Sequence, residues 1–141
     1  MTQEEKELLI KDLSARLLHK VKASYYGTDE EMECTDIIEG IIIENNDAEI
    51  IIGQYGLSVE KVKPYLFPLS IMTEEQEYEW DNLFTDPMVE RVSTRHTRED
   101  DLLLRAKSGF ASTEYLDKNF FDYRGLIPKG LAIDATGLNI Y

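Results

Sequence analysis

Apolar positions in the first twenty or so residues recur with helical spacing. Thr2 and Glu5 stand three apart, the spacing of a reciprocal helix cap, just ahead of LLIKDLSARLLHKV. Leu9, Leu13 and Leu17 follow at intervals of four, with Ile10, Leu18 and Val21 alongside. This stripe predicts an amphipathic helix from about residue 3 to about residue 20. Lys6, Lys11, Asp12 and Arg16 are expected on its wet face. From residue 21 the period changes. VKASYYG is rich in β-formers and stops at Gly27, and the polar, acidic TDEEMECTD follows. In DIIEGIIIENNDAEIIIGQYG, two isoleucine-rich runs flank Asn45, Asn46, Asp47 and Ala48, which predicts a β-hairpin. Glu44 and Glu49 would then sit close across its turn, a mildly unfavourable pairing of like charges. LSVEKVKPYLF predicts a further short strand, which Pro64 and Pro68 should confine to an edge or an end.

The second half reads as helices and a tail. Thr73 and Gln76 repeat the cap spacing, so a helix should start near residue 74 and end before Asp86-Pro87. Thr97 precedes REDDLLLRAKSG, a third helix with acids in its first turn, Arg105 and Lys107 in its last, and Gly109 as its stop. Ser112 or Thr113 should cap a short fourth helix through TEYLDKNFF. In FDYRGLIPKGLAIDATGLNIY, residues Leu126, Ile127, Leu131, Ile133, Leu138 and Ile140 are too many apolar groups for a free tail. Burying each is worth roughly 1.5–3 kcal/mol. Asp134-Ala135-Thr136-Gly137 is a turn signal between short alternating segments. The segment is therefore expected to pack back onto the core; the alternative is an arm that pairs with a partner's sheet edge. Helix, then strands, then helices predicts one α+β domain over residues 1–141. It comprises an N-terminal amphipathic helix, a small antiparallel β-sheet or half-barrel at about 21–67, two to three further helices and a packed C-terminal segment.

Charge sharpens this picture. The chain has 141 residues and a formal net charge of -13. Such a balance disfavours direct binding to nucleic acid or to an anionic membrane surface and suits a basic protein partner. Hydrophobic content of 43% is that of a globular chain able to build a core without staples. No run is long enough to span a bilayer, and MTQEEKELL lacks the pattern of a signal peptide, so a cytoplasmic location is expected. The lone Cys34 excludes an internal disulfide.

The charge is also segregated. Between Ala23 and Glu60 there is no Lys or Arg, but there are ten acids: Asp29, Glu30, Glu31, Glu33, Asp36, Glu39, Glu44, Asp47, Glu49 and Glu60. Such a stretch serves as a solvated face that keeps sheet edges apart, or as a docking face for a basic partner, with mimicry of nucleic-acid phosphates as a special case. The expected interaction face is Asp29, Glu30, Glu31, Glu33, Asp36, Glu44, Asp47 and Glu49. Arg91, Arg95, His96 and Arg98 form the main basic cluster and a second candidate contact. Asp122, Tyr123 and Arg124 are expected to anchor the tail through a local ion pair. No metal or cofactor is expected. The acids lack the register of a calcium loop, and no CxxC, HExxH, phosphate loop or nucleophile elbow is present.

Three segments, MTQEEKELLIKDLSARL, VKPYLFPLSIMTEEQ and NFFDYRGLIPKGLAIDATGLNIY, resemble a family of short bacterial proteins associated with gut anaerobes and their prophages or mobile elements. The resemblance departs over residues 22–60 and 85–110. That family has no assigned activity, so the resemblance implies no catalytic residue. The expected role is thus an accessory or regulatory protein acting through protein–protein contact. The alternatives are a small enzyme or ligand-binding protein using Asp122, Arg124 and His96, and a structural homo-oligomer.

Overall fold

A computed structural model describes residues 1–26, 32–45, 47–81, 103 and 113–141. Helix α1 spans Gln3–Arg16. Its cap is reciprocal: the Thr2 hydroxyl accepts from the Glu5 N–H at 3.1 Å, and the Glu5 carboxylate accepts from the Thr2 N–H at 3.2 Å. The last turn tightens to a 3₁₀ turn at Leu17–His19, and Lys20, at φ 61°, ends it in the left-handed conformation. This break shifts the helical phase. Leu9 and Leu13 are fully buried as expected, but Leu18 is 91% exposed. Asp12 and Arg16, expected in water, are also fully buried.

Five strands follow: β1 (Lys22–Tyr26), β2 (Glu33–Glu44), β3 (Asp47–Ile52), β4 (Tyr55–Ser58) and β5 (Val62–Pro68). They pair antiparallel in the order β4-β3-β2-β1-β5. The long β2 serves two neighbours, β1 up to Ile37 and β3 from Ile38, with a bulge between Ile38 and Gly40. The β2–β3 turn leaves Asn45 at φ 48°, a conformation asparagine tolerates. Its register corrects one expectation: Glu44 faces Asp47, while Glu49 faces Ile42.

The sheet does not close into a barrel, and it is mixed rather than purely antiparallel. The tail supplies β6 (Phe121–Asp122) and β7 (Ile133–Asp134), both parallel to β5. Strand β5 is therefore internal, against the expectation that its prolines would hold it at an edge or end. Backbone polar groups alternate sides along a strand, which explains the tolerance. The Tyr65 carbonyl turns to the β1 side, and the Leu66 carbonyl turns to the tail, where it accepts from the Ala135 N–H at 2.8 Å. Pro64 is in phase with Leu66, so its nitrogen faces β7, whose pairing begins only at Tyr65↔Ile133.

Among the described residues, helices α2 (Glu74–Asp81) and α3 (Thr113–Lys118) follow. The Thr73 N–H donates to the Gln76 side chain at 2.9 Å, and the Gln76 N–H donates to the Thr73 hydroxyl at 3.1 Å, a second reciprocal cap. The expected third helix, apart from the helical Leu103, and the expected end of the second lie outside the described residues.

Among the described residues, two apolar clusters hold these elements. The larger joins Leu9 and Leu13 of α1 to Tyr25, Ile38, Ile50, Ile52, Val62 and Leu66 of the sheet and to Leu126 and Leu131 of the tail. The smaller gathers Leu69, Met72, Trp80, Leu116, Phe121 and Tyr123. The C-terminal segment thus contributes to both, packed within its own chain.

Candidate functional site

Among the described residues, two places concentrate charged groups. The first binds the tail. On α1, positions 9, 12, 13 and 16 share one face, so Asp12 and Arg16 enter the interior beside Leu9 and Leu13. The Arg16 guanidinium grips Asp12 with both a 2.9 Å and a 3.1 Å bond and donates to the Leu116 and Phe121 carbonyls at 3.3 Å and 2.5 Å. Arg124 joins from the tail, donating to Asp12 at 2.7 Å and lying 3.5 Å from Asp117 of α3. The Tyr123 hydroxyl donates to Asp117 at 2.8 Å, and its ring lies beneath the Arg124 guanidinium at 4.3 Å. Burial, then the Asp117 bond, pushes the Tyr123 phenol up to about 12. Two arginines and two aspartates balance, and among the described residues no buried side-chain polar atom lacks a partner.

The neighbouring Asp122 serves the backbone. Its two oxygens accept from the Leu126 and Ile127 N–H groups, both at 2.9 Å. A cavity of about 300 Å³ lies beside Asp122, Tyr123, Arg124 and Leu103. Its acid and base already hold the tail in place. His96, grouped with them in the enzyme alternative, lies outside the described residues.

The chain ends in a second anchor. The Tyr141 hydroxyl sits between β1 and β5, accepting from the Lys22 N–H and donating to the Tyr65 carbonyl, both at 2.9 Å. It stands where the next backbone pair of that ladder would form. The Tyr141 ring stacks on Phe120 at 3.9 Å, and Lys22 Nζ donates to the Ile140 carbonyl at 2.7 Å. Burial holds the Tyr141 phenol well above the ordinary tyrosine value.

The second charged place is the β2–β4 hairpin pair. Ala48 and Ile50 point into the core, so Glu49 faces outward, with Ile42 beside it and Glu44 and Asp47 in phase. Gly56 on β4 has no side chain, and Glu49 lies over it; a Cβ there would collide with the Glu49 carboxylate. The result is a shallow groove of about 430 Å³ lined by Ile42, Glu44, Asp47, Glu49, Gly56 and Ser58. Ile42 is 48% exposed in it, and the adjacent Ile43 is 58% exposed.

The expected acidic face is thus divided. Glu44, Asp47 and Glu49 border the groove. Asp47 also lies 4.0 Å from Lys6, whose ammonium pairs with Glu60 at 2.8 Å. Glu33 accepts from the Ser24 hydroxyl, and Asp36 accepts from the Tyr25 hydroxyl at 2.5 Å. That bond, then burial, holds the Tyr25 phenol far above its ordinary value. Gly53 makes room for the pair: at φ 58° it passes so close that a Cβ would lie 2.7 Å from the Tyr25 oxygen. Asp29, Glu30, Glu31, Arg91, Arg95 and Arg98 lie outside the described residues.

Sequence reasoning missed Asp12, Arg16, Asp117, Lys22 and Tyr141. A signal existed for the first two, since i, i+3, i+4, i+7 spacing places them with Leu9 and Leu13. None existed for Lys22 and Tyr141, whose contact joins residues 119 apart in sequence, and Asp117, though only six residues from Tyr123, carries no mark in the sequence that it meets α1. Among the described residues no group of three His, Cys, Asp or Glu side chains is placed to hold a metal, and no helix is long and apolar enough to cross a membrane. Searches of protein-family models, of curated proteins and of solved structures each found no match to this chain.

Proposed function

We propose that this chain is an accessory or regulatory protein of the cytoplasm that docks a basic partner protein through the outer face of its β2–β4 hairpins. One observation carries the reading: an exposed Ile42 lies in a groove whose charged rim is Glu44, Asp47 and Glu49. An apolar floor supplies affinity, and a one-sign rim supplies steering and selectivity. No Lys or Arg between Ala23 and Glu60 competes for those carboxylates from within the same stretch. The resemblance to short proteins of mobile elements supports an accessory role over a catalytic one.

The test uses a defined probe, a fluorescent lysine- and valine-rich peptide, with a glutamate- and valine-rich peptide as control. Fluorescence anisotropy at low and high salt should show binding of the basic peptide alone, weaker at high salt. Reversing Glu44 and Glu49 to lysine should remove binding, whereas reversing Glu4 and Glu7 on α1 should leave it unchanged. Equal loss from both pairs of reversals would reduce the groove to one part of a diffuse negative field and overturn the reading.

A further inference from the structure

Strand β2 is longer than the strand beside it. Its pairing with β1 stops at Ile37, and the last bond on that side runs from the Ile38 N–H to the Val21 carbonyl at 2.9 Å. From Glu39 to Glu44, β3 holds the opposite edge, and among the described residues no strand holds this one. The turn assigns the free groups. A two-residue connection makes Glu44↔Asp47 a hydrogen-bonded pair, so Ile42 and Gly40 bond β3 as well, by alternation. Ile41 and Ile43 therefore turn their N–H and C=O groups to the open edge.

Open edges are usually blocked by proline, lysine or a covering element. Here the edge reads Glu39-Gly40-Ile41-Ile42-Ile43-Glu44, without proline or lysine, and among the described residues the element beside it is the short Leu17–His19 turn, which supplies no pairing strand. A second copy is a poor occupant. Antiparallel pairing of the two open edges, Ile41 of one copy against Ile43 of the other, would set the carboxylate-rimmed outer faces of both copies side by side, each in a chain of net charge -13. A basic strand is complementary. Its outward side chains would lie over Ile42 toward Glu44 and Glu49, and its inward ones would cover Ile43.

We propose that the partner docks by strand addition: an extended segment of alternating basic and apolar residues pairs with the backbone of Ile41 and Ile43. This rests on the docking reading above and adds the geometry, so the two must be able to fail separately. The probe is an eight-residue peptide of alternating lysine and valine. Its counterpart is N-methylated at every residue, keeping charge and apolar groups but losing every amide donor.

Strand addition predicts that the unmodified peptide binds and that methylation weakens binding at least about tenfold. It predicts that the Ile41 and Ile43 amides exchange hydrogen rapidly in the free protein and slow when the peptide is added. Ile43→Pro, which removes one edge donor without touching the β3 ladder, should weaken binding comparably while leaving the melting temperature within a few degrees. Equal binding of both peptides overturns strand addition and leaves the groove reading standing. Binding of neither overturns both. Amides already protected in the free protein, or a sedimentation mass at a multiple of 16.3 kDa, show the edge occupied and overturn the proposal.

Discussion

The β2–β3 hairpin and the C-terminal tail both carry more isoleucine and leucine than their exposed lengths suggest, and the chain uses them oppositely. The tail spends its apolar groups within the molecule: Leu126 and Leu131 enter the larger core, Phe121 and Tyr123 enter the smaller one, and Tyr141 fills a gap between strands. Polar atoms near its anchors are matched by buried partners from α1 and α3. The hairpin buries Ala48, Ile50 and Ile52 on its inner face, leaves Ile42 in water beside carboxylates on its outer face, and leaves Ile43 exposed at the inner one. Matched buried charge marks a region fixed in place, whereas unmatched exposed charge beside apolar surface marks a region with valence to spare.

This contrast predicts that damage at the tail anchors falls on stability and damage at the hairpin falls on binding. The largest effect is expected for Asp12→Ala. It leaves Arg16 and Arg124 sharing only Asp117, and breaking a buried pair this way costs about 3–5 kcal/mol. Urea unfolding followed by Trp80 fluorescence should show the loss, because Trp80 is buried in the cluster that Tyr123 closes. A loss under about 1 kcal/mol would show that the network is solvated and does not hold the tail.

Next comes Tyr141. Tyr141→Ala removes the stack on Phe120 and leaves the Lys22 N–H and Tyr65 carbonyl unbridged, for about 2–3 kcal/mol; Tyr141→Phe keeps the ring and should lose about 1–2 kcal/mol. Calorimetric melting of the two variants separates ring from hydroxyl. Identical melts would show that the hydroxyl bridge contributes nothing.

A smaller effect concerns alkali. Tyr123 holds its proton up to about 12 when folded, against an ordinary value near 10.0. The unfolded chain therefore gives up that proton first. The stabilisation is complete below pH about 10 and is lost as pH rises through about 12. Absorbance at tyrosinate wavelengths should show the transition, and Tyr123→Phe should remove its share of the alkaline loss of stability. The smallest effect on stability belongs to the hairpin: Glu44→Lys with Glu49→Lys should move it by no more than about 0.5 kcal/mol per site while abolishing binding of a basic peptide.

How far the sequence was legible follows the range of each interaction. Both reciprocal helix caps, at Thr2 and Thr73, were readable because donor and acceptor lie three residues apart. The hairpin around Asn45 was readable for the same reason. Its register was not, and Glu49 lies opposite Ile42 because the turn is one pair tighter than the residue types alone imply. Asp12 and Arg16 were misplaced because charge was allowed to outweigh helical phase. Pro64 was misjudged because a proline excludes one side of a strand, and which side is bonded depends on neighbours from the far end of the chain. The acidic residues of the groove could be named in sequence, but not that Glu33 and Asp36 would be drawn to Ser24 and Tyr25 while Glu44 and Glu49 stayed free.

By itself, then, the sequence determined what local physics determines: helix starts, the hairpin, the α+β order, the acidic stretch, and a tail too apolar to stay in water. Tertiary structure decided the rest. The burial of Asp12 and Arg16, the parallel docking of β6 and β7 on β5, and the seat of Tyr141 each join segments about a hundred residues apart in sequence or more than fifty. The free edge of β2 is likewise a difference in length between two strands, which exists only once they are paired. A residue's hydropathy states how much it gains by leaving water; only the assembled chain states whether a partner is waiting.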